Sequence, residues 1–124
     1  MREAEELEIA LAGPGVVRAS EMGGALWRNN SGACFDQTGR MVRYGLGNVS
    51  KKLNDVWKMP DYCGIAPGGQ FAGIEWKRPG WVYRATPREV AQLNAILNVR
   101  ALGGVAGFAT SIEEMERILT PWPR

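Results

Sequence analysis

Glu75 and Lys77 stand two residues apart in the stretch 71–80, FAGIEWKRPG, which alternates like a strand until Pro79-Gly80 stops it. Ala72, Ile74 and Trp76 share one face. Phe71, Gly73, Glu75 and Lys77 share the other, so a carboxylate and an ammonium lie roughly 7 Å apart pointing the same way. Full charges in the middle of a small domain are costly to desolvate unless they are paired or bind a metal. A surface ion pair is the plain alternative, and it would be worth little. Just upstream, 59–65 (MPDYCGI) reads as a second strand and supplies Asp61.

Register decides whether these groups meet. A two-residue loop, Gly68-Gly69, would send Asp61 to the face opposite Glu75. A three-residue loop, Pro67-Gly68-Gly69, pairs Asp61 with Glu75, and its third place needs the left-handed backbone that glycine adopts. The odd loop is the expected one.

The elements around this hairpin follow from local signals. Residues 2–12 are good helix formers and Gly13-Pro14-Gly15 should interrupt them, with a helical turn resuming over 16–22. A short strand is expected at 25–28, then a turn at 29–32. Residues 36–58 read as a long irregular connection, functional or mobile, with a candidate strand at 41–44. Thr86-Pro87-Arg88-Glu89 is a capping box opening a helix whose apolar stripe is Val90, Leu93, Ile96, Leu97 and Ala101, ended by Gly103-Gly104. A buried strand at 105–109 follows, and Ser111 opens a last helix to Leu119. The fold class is α/β: a mixed central sheet flanked by helices.

The chain has 124 residues, enough for one domain with a real core. Two cysteines with no CxxC spacing, Cys34 and Cys63, read as buried free thiols. The absence of histidine excludes Ser-His-Asp and Cys-His catalysis and His-based metal sites. Hydrolysis would have to use carboxylates, lysine and a hard cation. No apolar run reaches membrane-spanning length and no signal sequence opens the chain, so a cytoplasmic protein without membrane contact is expected, in the host cytoplasm if a phage encodes it. The net charge of +2 is uneven. Arg28, Arg40, Arg43, Lys51, Lys52 and Lys58 face only Asp36 and Asp55 across the middle, which fits either a polyanion surface or a solvated loop region.

Asp, a hairpin-length gap, then Glu-x-Lys followed by a helix is the arrangement of the PD-(D/E)xK nucleases. Alone, Glu-x-Lys is a weak pattern. It keeps more specific company in 27–32 (WRNNSG), 42–45 (VRYG), 73–80 (GIEWKRPG) and 101–107 (ALGGVAG). Together these resemble the VRR-NUC family, the virus-type replication-repair nuclease domains, across about residues 25–119. A stand-alone domain of this length resembles the phage and bacterial members. The resemblance implies a restriction-endonuclease-like core and a Mg²⁺- or Mn²⁺-dependent endonuclease on DNA, selective for branched DNA or Holliday junctions. It also implies a homodimer. Residue by residue, it makes Asp61 and Glu75 metal ligands with the Trp76 carbonyl, and Lys77 the catalytic lysine. Gln92 joins from the following helix, and Glu8 or Glu6 from the first.

Two carboxylates and a carbonyl form an all-oxygen set that suits Mg²⁺ or Mn²⁺ rather than zinc. Arg28, Asn29, Asn30, Arg40, Arg43, Lys51, Lys52 and Arg78 are candidate nucleic-acid contacts. Trp76 and Trp27 read as core, while Trp81 and Trp57 are candidates for DNA or subunit contact. The competing class is a non-catalytic DNA-binding or structural phage module that keeps the fold.

Overall fold

The computed structural model describes residues 2–121, with side chains from residue 5. In chain order the elements are α1 (Arg2–Glu21), β1 (Ala25–Arg28), β2 (Gly32–Phe35), β3 (Met41–Tyr44), α2 (Lys51–Asn54), β4 (Tyr62–Ile65), β5 (Phe71–Trp76), α3 (Pro87–Ala101), β6 (Val105–Ala109) and α4 (Ile112–Leu119). β1, β4, β5 and β6 form a mixed four-stranded sheet in the order β1-β4-β5-β6, with β5 and β6 parallel. β2 and β3 make a separate antiparallel ribbon.

The central hairpin has the register that its odd loop predicts. Tyr62 pairs with Ile74 and Ile65 with Phe71, so Asp61 falls opposite Glu75. The Gly69 amide donates to the Ala66 carbonyl and the Ala66 amide to the Gln70 carbonyl, both at 2.8 Å. Gly69 takes φ +92°, the left-handed place in that loop.

Helices cover both faces. Ala72, Ile74 and Trp76 of β5 pack with Val105 and Ala109 of β6 against Ala12 and Ala19 of α1 and Met115 and Leu119 of α4. On the opposite face a smaller cluster joins Ile96 and Val99 of α3 to Ala106, with Met59 and Phe108 beside it. The Glu75 face therefore lies under α3 and away from the main core.

Six expectations are corrected. α1 is not interrupted at Gly13-Pro14-Gly15 but runs through Pro14. Its buried stripe Ala12, Gly15, Ala19 follows helical spacing, and Gly15 seats the Trp76 ring so closely that a Cβ there would meet Cζ2 at 2.3 Å. Burial against tryptophan outweighs the hydrogen bond that Pro14 removes.

Residues 36–58 are not one irregular connection. Most of the ribbon and α2 lie within them, and buried Asn48 closes the ribbon's base by donating 2.9 Å bonds to the Gly32 and Tyr44 carbonyls. The 29–32 turn is also shorter than expected, because Gly32 already belongs to β2.

α3 opens on the expected capping box, but its buried face is Ala91, Gln92, Ala95, Ile96 and Val99. Val90 and Leu97 are exposed. The small residues let α3 lie close on the sheet, and the larger aliphatics fall outside. Finally, Trp27 is 59% exposed, because no helix among the described residues covers the β1 and β4 half of that sheet face, and Cys34 is exposed on β2 of the separate ribbon. Cys63 is buried as expected, and desolvation pushes its thiol up to about 12.

Candidate active site

Asp61, Glu75, Lys77 and Gln92 converge beneath the first turns of α3. Counted along the ladder from the hydrogen-bonded Ala66–Gln70 pair, Asp61 and Glu75 oppose each other at a non-hydrogen-bonded position, where side chains stand closest. The Asp61 amide donates to Glu75 Oε1 at 3.3 Å. Glu75 is 3% exposed while Asp61 is exposed at the mouth. Desolvation, and then the neighbouring Asp61 charge, hold the Glu75 carboxyl well above its ordinary range, with Lys77 opposing. Among the groups that act on Glu75, Lys77 and then Arg88 are the cations that oppose this rise.

Lys77 is held from three sides. Its amide donates to the Ala109 carbonyl at 2.9 Å, which extends β5 alongside β6. Its Nζ donates to Gln92 Oε1 at 2.9 Å and lies 5.4 Å from the Trp81 ring centroid and 5.7 Å from that of Phe108. Cation–π attraction and one hydrogen bond thus aim the ammonium, with no salt bridge to it among the described residues. Trp81 packs on Phe108 at 4.8 Å between centroids, so it serves as a wall for Lys77.

Glu89 fixes that wall. Besides closing the capping box, it accepts from Trp81 Nε1 at 3.0 Å and from the Arg84 amide at 2.8 Å. Burial opposes its ionisation, but these bonds outweigh burial and bring the carboxyl below its ordinary value. Sequence alone marks Glu89 only as a cap.

The donor set fits a hard divalent cation. It offers two facing carboxylates, and the ladder register puts Pro60, which has no amide hydrogen to donate, opposite Trp76. The Trp76 side chain itself is core, as expected. Among the described residues no group of three or more His, Cys, Asp or Glu side chains is placed to hold a metal, so any cation here would keep several waters.

Glu8 of α1 is the next carboxylate. Desolvation raises its pKa, with Lys77 and Asp61 close enough to act on it in opposite senses. It lines a cleft with Asp61, Arg28 and Arg88, together with Glu5. Glu6, the other candidate, is exposed and outside that lining.

The candidate nucleic-acid residues divide. Arg28 and Arg43 line the two clefts that adjoin Asp61. Asn29 is a structural pin: its Nδ2 donates to the Pro60 carbonyl at 3.2 Å and its Oδ1 accepts from the Leu46 amide at 3.0 Å. Asn30 lines a separate apolar hollow with Trp27 and Phe71. Arg40 is exposed at the ribbon's end, and Lys51 pairs with Asp55 at 2.8 Å. Lys52 is exposed and Arg78 is half-buried beside the site. Trp57 is half-buried against Gly47.

Sequence reasoning passed over Arg88, which shares the Gln92 face of α3 and lines both clefts. The shifted apolar stripe hid it, since only the true buried face shows which polar positions turn toward β5.

No family model, no curated protein and no solved structure matches this chain. No helix among the described residues is long and apolar enough to cross a membrane.

Proposed function

We propose that this protein is a Mg²⁺- or Mn²⁺-dependent DNA endonuclease of the VRR-NUC kind, within the PD-(D/E)xK nucleases, that hydrolyses phosphodiester bonds in branched or junction DNA. The observation that carries the reading is the meeting of Asp61 and Glu75 across the hairpin, with Lys77 and Gln92 at the same end. Their order along the chain, an aspartate, a hairpin, Glu-x-Lys and a helix, is the one that the resemblance requires.

Asp61, Glu75 and the Trp76 carbonyl would hold the cation. When bound, it would acidify a water and offset charge on the scissile phosphate. Lys77, aimed by Gln92 and backed by the Trp81 and Phe108 rings, would place its ammonium against the phosphate oxygens. Glu8 borders the same ground from α1 and would orient water on the far side of Asp61. Glu75 lies too deep to meet duplex DNA directly, so the exposed Asp61 marks where substrate approaches.

A homodimer belongs to the same reading. The uncovered half of the sheet, with Trp27, Ile65 and Phe71 exposed, offers it apolar surface.

Cleavage of branched and linear DNA with Mn²⁺ or Mg²⁺ tests the activity. Lys77→Ala should lower the rate about 10²- to 10⁴-fold while DNA binding persists. Binding without metal-dependent cutting by the wild type would overturn the nuclease reading and favour the non-catalytic module. The mass of the protein in solution tests the dimer.

A further inference from the structure

Asp61 and Arg88 line two clefts at once, so the two spaces meet at them. The first, about 310 Å³, lies between the ribbon with its following segment on one side and α3 and β5 on the other. The second, about 380 Å³, opens between α1 and β4. The first cleft gathers Arg43, Lys58 and Arg88 around Asp61, Glu75 and Gln92. Among the described residues none of these three cations is in a salt bridge.

Arg43 and the segment that carries Lys58 are nonetheless held in place. The Lys58 amide donates to the Ala91 carbonyl at 3.0 Å, and Asn94 Nδ2 donates to the Val56 carbonyl at 2.8 Å, which staples segment 56–58 to α3. Arg43 Nη2 and Nε both donate to Asn48 Oδ1, at 2.8 and 3.2 Å. Desolvation, then Arg88, lower the Lys58 pKa from its ordinary value; Asp55 opposes them and Arg43 adds to them. Three cations on one cleft wall, none spent on a salt bridge among the described residues, describe an anion site beside the Asp61 and Glu75 carboxyl groups.

The size of the cleft limits what can enter. A space of about 310 Å³ sits at the low end of small-molecule pockets. Glu75 is in its floor and the ribbon stands over one side. A paired strand keeps its partner alongside and cannot enter such a cleft, whereas one unpaired strand can. Among the described residues no aromatic side chain lines the first cleft, so the contacts available there are to phosphate and sugar rather than to stacked bases.

We propose that Arg43, Lys58 and Arg88 form a phosphate subsite that admits one unpaired polynucleotide strand beside Asp61. The proposal rests on the nuclease reading for its biological meaning, but its test does not require cutting.

The test is fluorescence anisotropy in EDTA, with labelled oligothymidylate compared with a blunt duplex of equal length across a salt series. The wild type should prefer the single strand. Lys58→Gln/Arg88→Gln should bind it roughly tenfold more weakly, with the salt slope flattened by about 0.7 per residue. Lys58→Arg should retain the wild-type slope, and Arg117→Gln on α4 should change neither quantity. Equal affinity for duplex and single strand, or wild-type affinity and slope in the double variant, would overturn the subsite. If the wild type binds as expected but never cuts with Mn²⁺, the subsite stands and the nuclease reading falls. If the protein cuts with Mn²⁺ and the double variant binds like the wild type, the nuclease reading stands and the subsite falls.

Discussion

Replacing Glu75 by glutamine should stabilise the metal-free protein. Glu75 faces Asp61 at a close ladder position, and two carboxylates about 5 Å apart repel by about 3 kcal/mol at an effective dielectric constant of ~20. Lys77, two residues along the same face, returns about 2 kcal/mol at roughly 7 Å. Desolvating the carboxylate costs more in the same direction, and the buried amide of the variant bears part of that cost too. The amide keeps the oxygen that accepts from the Asp61 amide, and its NH₂ can donate to the Asp61 carboxylate. The net expectation is a gain of about 2 kcal/mol, or about 8 °C in Tm for a chain of this length.

The pH dependence has a definite sign. The folded pKa of Glu75 lies above its ordinary value of 4.5, so the native state binds the extra proton. The contribution of Glu75 to stability is therefore fully present below 4.5 and is lost as pH rises through the folded pKa. The advantage of the variant should appear at neutral pH and vanish in acid. Saturating Mn²⁺ should reverse the order, adding about 2.7 kcal/mol to the wild type at a hundredfold excess over Kd and little to the variant. Thermal unfolding across pH, in EDTA and in Mn²⁺, measures all of this. A variant less stable than the wild type in EDTA at neutral pH, or equal gains from Mn²⁺ in both, would contradict the charge repulsion invoked for this pair.

Thr86→Ala removes the hydroxyl that accepts from the Glu89 amide and should cost about 1 kcal/mol in urea unfolding. Gly15→Val forces a branched side chain into the Trp76 ring and should cost about 1–3 kcal/mol, with a change in near-ultraviolet circular dichroism. A thiol reagent at neutral pH should modify exposed Cys34 promptly and buried Cys63 only on unfolding; two fast thiols in the native protein would contradict the burial of β4. On the proposed nuclease reading, Phe108→Leu, which keeps the core filled but removes one ring from beneath Lys77, should lower kcat several-fold more than it raises KM. An unchanged kcat would show that the ring packs without positioning.

The features legible in the amino-acid order were local ones. Two glycines after Pro67 set the loop, the loop set the register, and the register brought Asp61 opposite Glu75. The capping box at Thr86 and the strand at Val105–Ala109 were likewise legible, since each depends on residues a few places apart. Packing settled whatever depends on the surface opposite. Pro14 ends no helix because Gly15 has Trp76 to pack against, a contact invisible in the local stretch. α3 buries Ala91 and Ala95 rather than Val90 and Leu97 because close approach to the sheet selects small side chains, and that rotation turns Gln92 and Arg88 toward Glu75. Lys58 became a partner of Arg88 only when residues 56–58 were stapled to α3. Hydrogen-bonded turns follow short-range rules, whereas the rotation of a helix is fixed by whatever it must cover.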